Sequence, residues 1–376
     1  MSITPNQMTR MDSSASFSIR INGRNFLAGA TARLGSLPGN ITQLTATTID
    51  GTIPISMPTG VYNLTVTNPD LQSDTLLNAF TVLETDDPNT TLESSFLVLF
   101  GPDNNLSAGD NDHVQLIFFD IPNTVTTPLY IRVFDPDTGG ALDRAISSIP
   151  TFDTTVQYSV YGGAGAYTNP AAQMAQPPIA GIQSGTQLDT ATVGEDTNLD
   201  QAWLTFGPFT PAEAELVGNR RLFKLAVVAQ SGNDGNIYNA VLSTQPDSNI
   251  PLPGSRTLAF SWTFTLTDSK RPGLYPFLDA TVTSFSQNNC DFDYSSGAIL
   301  LRTPEQELSI LNNISGDAVC LSSSIIPSNG ETNSSWAVDF TQLVFTESGN
   351  DVTFWATNQS NSALPIFSSP TVFAAP

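Results

Sequence analysis

Lysine is almost missing from this chain: only Lys224 and Lys270 occur. With 13 Lys+Arg against 35 Asp+Glu, the formal net charge is −22. Such a surface lacks the clustered cations that displace counterions from phosphates, which excludes nucleic acid as a partner and disfavours anionic membranes. It attracts cations instead, and it keeps copies apart unless divalent ions screen the repulsion. No apolar run approaches the roughly 18 residues that cross a bilayer as a helix, so no membrane span is expected. The opening "MSITPNQMTRM" also lacks the charged-then-apolar layout of a signal peptide, and Met1 is read as the start of a mature or engineered fragment of an exported protein.

Catalytic signatures are missing as well. His113 is the single histidine, so Ser-His-Asp, Cys-His and His-rich zinc chemistry all hinge on one residue. It lies between the acidic "DND" (Asp110 to Asp112) and the apolar "VQLIFF", as an edge or turn residue does. No nucleophile elbow, P-loop or dinucleotide fingerprint follows a strand-like run. Glutamates are scattered from Glu84 to Glu347, with no pair whose spacing marks a sugar cleft. The chain is expected not to be an enzyme.

What is present is alternation. "SFSIRINGRNF" places Phe17, Ile19 and Ile21 on one face before a turn at Asn22-Gly23, and "GVYNLTVTNPD" does the same with Tyr62, Leu64 and Val66. Period-2 patterning between turn signals is that of half-buried strands, and with charged residues at only 13% the fold class is all-β, in tandem immunoglobulin-like sandwiches. Residues 1–84 form the first unit, and the acidic, proline-containing 85–93 is the linker. Residues 94–270 form a larger sandwich, with a Gly/Ala/Gln/Pro-rich loop at 162–200. Residues 271–376 form either a smaller third sandwich or the completion of the second. "TPAEAEL", with Thr210 and Glu213 in capping-box spacing, predicts one short helix.

The first unit resembles the IPT/TIG family of immunoglobulin-like domains. The similarity rests on "ITP" at the start, "INGRNF" followed by "ATARLG", "ISMPTGVYNLTVTNPD", and a closing "FTV"; the family's glycine-rich segment after the first proline is replaced by "NQMTRMDSSA". The resemblance implies a sandwich fold and a module's role, as spacer, adhesin part or appendage, and no particular activity.

Chemistry-bearing residues are few. "FDPDTGGALD" offers Asp135, Asp137 and Asp143 as oxygen ligands for calcium, or else forms an ordinary turn; the third acid of a D-x-D-x-D-G loop is absent. "GPDNNLSAGDND", "SGNDGN" and "CDFD" offer weaker versions of the same choice. Cys290 and Cys320, the only cysteines, are expected to form one disulfide if the protein is exported, and otherwise to be buried thiols. Tyr161 beside Gly-Gly and Trp355 in "DVTFWATNQ" are the candidates for stacking on a glycan. Seven N-x-S/T sequons begin at Asn40, Asn63, Asn89, Asn105, Asn313, Asn333 and Asn358. "TLAFSWTFTL" and "FTQLVFT" carry no charge, and either one at a sheet edge would invite pairing with another chain. The expected function is an extracellular structural or adhesive surface protein, a fibre or surface-layer subunit being one form of it, partnered by itself or by other surface proteins. The alternative is a glycan- or substrate-binding accessory module.

Overall fold

The computed structural model describes residues 1–11, 14–83, 97–104, 113–145, 152–175, 181–266, 273–292, 297–310, 315, 319–342 and 350–369. The expected linker at 85–93 lies outside them, as do Asp110, Asp112 and Asp293. The described chain is all-β, and its few helical turns are 3-10. Thr210 and Glu213 do form a capping box, but around a turn of only Pro211–Glu213.

Two sheets make the N-terminal sandwich. One runs Ser2–Thr4, Ser16–Asn22, Thr48–Pro54, Asn40–Leu44; the other runs Gln7–Thr9, Ser73–Leu83, Gly60–Thr67, Thr31–Leu34, Leu37–Pro38. The alternating residues meet between them: Ile19, Ile21, Tyr62, Leu64, Val66 and Phe80 share one buried core. Beyond Asn22, the last residue of its strand, position 23 takes glycine for a steric reason: a Cβ there would lie 2.4 Å from Cζ of Phe26. Asn68 ties down the segment that follows, accepting from Leu27 N at 3.1 Å and donating to Asn25 O at 2.9 Å.

The rest of the described chain builds two larger sheets. An eight-stranded sheet runs Trp203–Phe209, Leu129–Phe134, Gly235–Ser243, Leu97–Phe100, Ser261–Leu266, Asn350–Asn358, Phe285–Cys290, Cys320–Ile325. Facing it, the main path of the second sheet runs from Thr186–Val193 through Thr155–Gly162, Arg220–Ser231, Val114–Pro122 and Arg256–Ala259 to Ile366–Phe367, Gly273–Leu278, Ala337–Gln342, Gly297–Arg302 and Glu307–Ile310. In each sheet the strands from before residue 270 lie on one side and those from after it on the other, joining where Ser261–Leu266 pairs with Asn350–Asn358 and where Arg256–Ala259 pairs with Ile366–Phe367. One apolar core runs from Leu97 to Ile366. The chain passes from one sheet to the other at Phe260, between Arg256–Ala259 and Ser261–Leu266. Cys290 and Cys320 face each other across the last two strands of the eight-stranded sheet and are disulfide-bonded.

Two expectations are decided here. The uncharged strands are interior: Ser261–Leu266 lies between Leu97–Phe100 and Asn350–Asn358, and Ala337–Gln342 between Gly273–Leu278 and Gly297–Arg302. An interior strand pairs on both sides and has no open edge for charge to blunt. Within "SWTFTL", the alternating Trp262, Phe264 and Leu266 belong to the large core. The second concerns 162–200, which is not one long loop: Thr186–Val193 is the edge strand of the larger sheet. Two buried charges order the chain before it. The Glu215 carboxylate accepts from the backbone N–H groups of Gly165, Tyr167 and Thr168 and from the Thr168 hydroxyl. Lys224 Nζ donates to Gly181 O, Ser184 O and Ser184 Oγ at 2.7 to 2.8 Å.

Candidate cation site

Asp135, Asp137 and Asp143 come together at one end of the large sandwich, and Asp200 joins them from another loop. The strands Leu129–Phe134 and Trp203–Phe209 pair antiparallel with Phe134 opposite Trp203. Immediately beyond that pair both chains turn through left-handed residues, Asp135 at φ 52° and Gln201 at φ 53°. An aspartate tolerates this conformation because its short polar side chain bonds locally. Here Asp135 N donates to Ala202 O at 2.9 Å, and Gln201 N donates to Asp135 Oδ1 at 2.6 Å. Asp137 Oδ2 accepts from Asp196 N at 3.2 Å.

The loop is held from beneath. Asn236, fully buried, donates through Nδ2 to the carbonyls of Pro136 and Asp137, and the Tyr158 hydroxyl donates to Pro136 O at 2.9 Å. Asp143 uses both oxygens on backbone, accepting from Gly139 N and Ile237 N at 2.6 Å each. Gly140 sits at φ +76°, and a Cβ there would fall 2.4 Å from Asp200 Oδ1. Glycine is therefore what admits the Asp200 carboxyl.

Three carboxyl oxygens are left over. Asp135 is 0% exposed and Asp137 1%, yet Asp135 Oδ2 and Asp137 Oδ1 are buried without a hydrogen-bond partner, as is Asp200 Oδ1. Burial pushes the Asp135 carboxyl up to about 6, against the bond from Gln201 N and with help from the charges of Asp137 and Asp200. Burial also raises Asp137, with Asp200 adding to it. Asp143 rises to about 8, chiefly through burial. Among the described residues, no three Asp, Glu, His or Cys side chains are grouped closely enough to hold a metal ion as they stand.

The other expected site residues lie elsewhere. Tyr161 and Trp355 are only 4% and 5% exposed, so neither offers the surface platform expected of it. Tyr161 is covered because the segment containing Ala166, Tyr167 and Ala172 packs over that face of the sheet, and Lys224 Nζ stands 4.6 Å from its ring centroid. Trp355 lies in an interior strand, opposite Ser261 and Asn288. The half-buried tryptophan is Trp203, on the edge strand beside the acidic cluster, 5.3 Å from the Phe134 ring and under the Arg132 guanidinium. The strand-like run "AWLTFGPF" carries no local sign of an edge position beside acids. Asp200 was equally hidden, since nothing local to "EDTNLDQAW" connects it to "FDPDTGG".

No family model matches the chain, and no curated protein matches it. Among solved structures, SGBP-B of the Bacteroides ovatus mixed-linkage glucan utilization locus, in complex with a mixed-linkage heptasaccharide, aligns at 13% identity and a TM-score of 0.16. That alignment covers 60% of this chain and 51% of the other, about half its length.

Proposed function

We propose that the protein is a non-catalytic structural or adhesive component of an extracellular surface, in which the N-terminal and large sandwiches act as one stiff unit. The observation that carries this reading is the docking between them. Asn63 is 1% exposed; its Nδ2 donates to Glu305 Oε1 and Gly330 O at 2.8 Å each, and its backbone N donates to Pro304 O at 3.2 Å. The hydroxyls of Thr59 and Tyr275 are bonded at 2.7 Å, and Arg302 Nη1 reaches Thr59 O at 3.4 Å. Domains joined by a linker move relative to one another unless an interface holds them, and buried hydrogen bonds of this kind do so. An acidic, lysine-poor surface and a disulfide support a location outside the cell.

Small-angle scattering of the full chain tests the reading. A single rigid envelope is expected; a profile that requires two freely moving bodies, or turnover of polysaccharide substrates, would overturn it. Self-association through open uncharged strands is not part of this reading, because those strands are interior. A second reading, glycan binding, is favoured by the partly exposed pair of Phe134 and Trp203, the latter on an edge strand. Glycan-array binding that is lost in Trp203→Ala would establish it.

A further inference from the structure

The acidic end of the large sandwich carries an assignment that the turn reading does not. A turn accounts for Asp135 Oδ1, Asp137 Oδ2 and both oxygens of Asp143, each of which receives a backbone N–H. It does not account for the second oxygens of Asp135 and Asp137, buried and unpartnered in side chains at most 1% exposed. Nor does it explain a glycine at 140 whose missing Cβ leaves room for a third carboxyl, that of Asp200, with a buried unpartnered oxygen of its own. Buried carboxylates stand without cost only when paired, protonated or bound to a metal. Neither Lys224, engaged with residues 181 and 184, nor Arg132, stacked on Trp203, serves these acids. Arg144, which follows Asp143 in sequence, donates to Asp351 and Thr265 instead.

We propose that Asp135 Oδ2, Asp137 Oδ1 and Asp200 Oδ1 bind one calcium ion, with Asp143 positioning the loop and not touching the metal. Calcium fits better than magnesium for a physical reason. It accepts six to eight oxygens in irregular geometry, and waters can supply those the protein does not, whereas magnesium demands a near-ideal octahedron. The carboxyls do not yet converge as a cage, so the ion would draw the Asp200 loop inward onto Asp135 and Asp137. The consequence is mechanical. The loop that carries Asp200 joins Thr186–Val193 of one sheet to Trp203–Phe209 of the other, so the ion would lock the two layers at this end.

The test is calcium titration of the chelator-treated full-length protein by calorimetry, with terbium luminescence sensitised by nearby Trp203 as an independent readout. Wild-type protein is expected to bind one calcium per chain and to prefer it to magnesium. Asp135→Asn and Asp200→Asn should each weaken binding by about tenfold or more, while the distant control Asp70→Asn should change it by less than about threefold. If Asp135→Asn fails to fold, wild type and Asp200→Asn against Asp70→Asn decide the matter. The absence of calcium binding by wild type at millimolar concentration would overturn the proposal. So would equal affinity for magnesium, or binding that survives Asp200→Asn unchanged.

Discussion

Lys224 Nζ lies 4.6 Å from the centroid of the Tyr161 ring while donating to Gly181 and Ser184, in a side chain that is fully buried. Desolvation pulls this amine down to about 8 from its usual 10.5, and Glu215 only partly opposes it. A lysine with a depressed folded pKa binds fewer protons folded than unfolded between those values, so stability rises with pH across that window. Denaturant unfolding at pH 8 and pH 9.5 should show a gain of about 1.5 kcal/mol, absent in Lys224→Met. An unchanged slope in the variant would assign the effect to another group.

The Asn63 contact predicts a stability loss shared by two bodies. Asn63→Ala leaves the Asn78 N–H, Gly330 O and Glu305 without their partner and should cost about 2 to 4 kcal/mol. Scanning calorimetry is expected to split one transition into two, because the N-terminal sandwich keeps its own core while losing its seat. A single transition at the wild-type temperature would show that the contact contributes nothing.

Gly23→Ala isolates a single steric clash. The new methyl would meet the Phe26 ring at 2.4 Å, and the ring belongs to the N-terminal core. Overpacking of this kind typically costs about 1 to 3 kcal/mol. Urea melts of the variant should show the loss, and Phe26→Leu in the same background should recover part of it by removing the ring edge.

Removing the disulfide should act locally. It closes a loop of sequence separation 30 and joins the outermost strand Cys320–Ile325 to Phe285–Cys290. Loop-closure entropy gives it about 3 to 4 kcal/mol. Hydrogen exchange after a double Cys→Ser change should accelerate in residues 285–290 and 320–325 and leave residues 16–67 untouched.

Much of the fold was legible because alternation and turns are local. Ile19, Ile21, Leu64 and Val66 could only face one way, and Cys290 and Cys320 had no other partner. What was not legible depends on contacts distant in sequence. Thr186–Val193, "TQLDTATV", is an edge strand with little apolar surface, so its pattern resembled a loop. Tyr161 and Trp355 looked exposable because a strand's outer face is open unless something covers it, and the covering residues come from other parts of the chain. At the acidic cluster, Asp135 and Asp137 were visible as a spacing, while Asp200 and the real task of Asp143 emerged only from register.

The buried Asn63 also begins a sequon, Asn63-Leu64-Thr65. A glycan transferred to it during synthesis would occupy the space that Glu305 and Gly330 fill, and the two sandwiches could not then seat. The disulfide meanwhile requires an oxidising compartment. For producing the docked chain, a host compartment that forms disulfides and leaves Asn63 unmodified, such as a bacterial periplasm, is therefore the expected choice. A eukaryotic secretory host would first need Thr65→Ala, a change that sacrifices only the hydroxyl contact with Thr75.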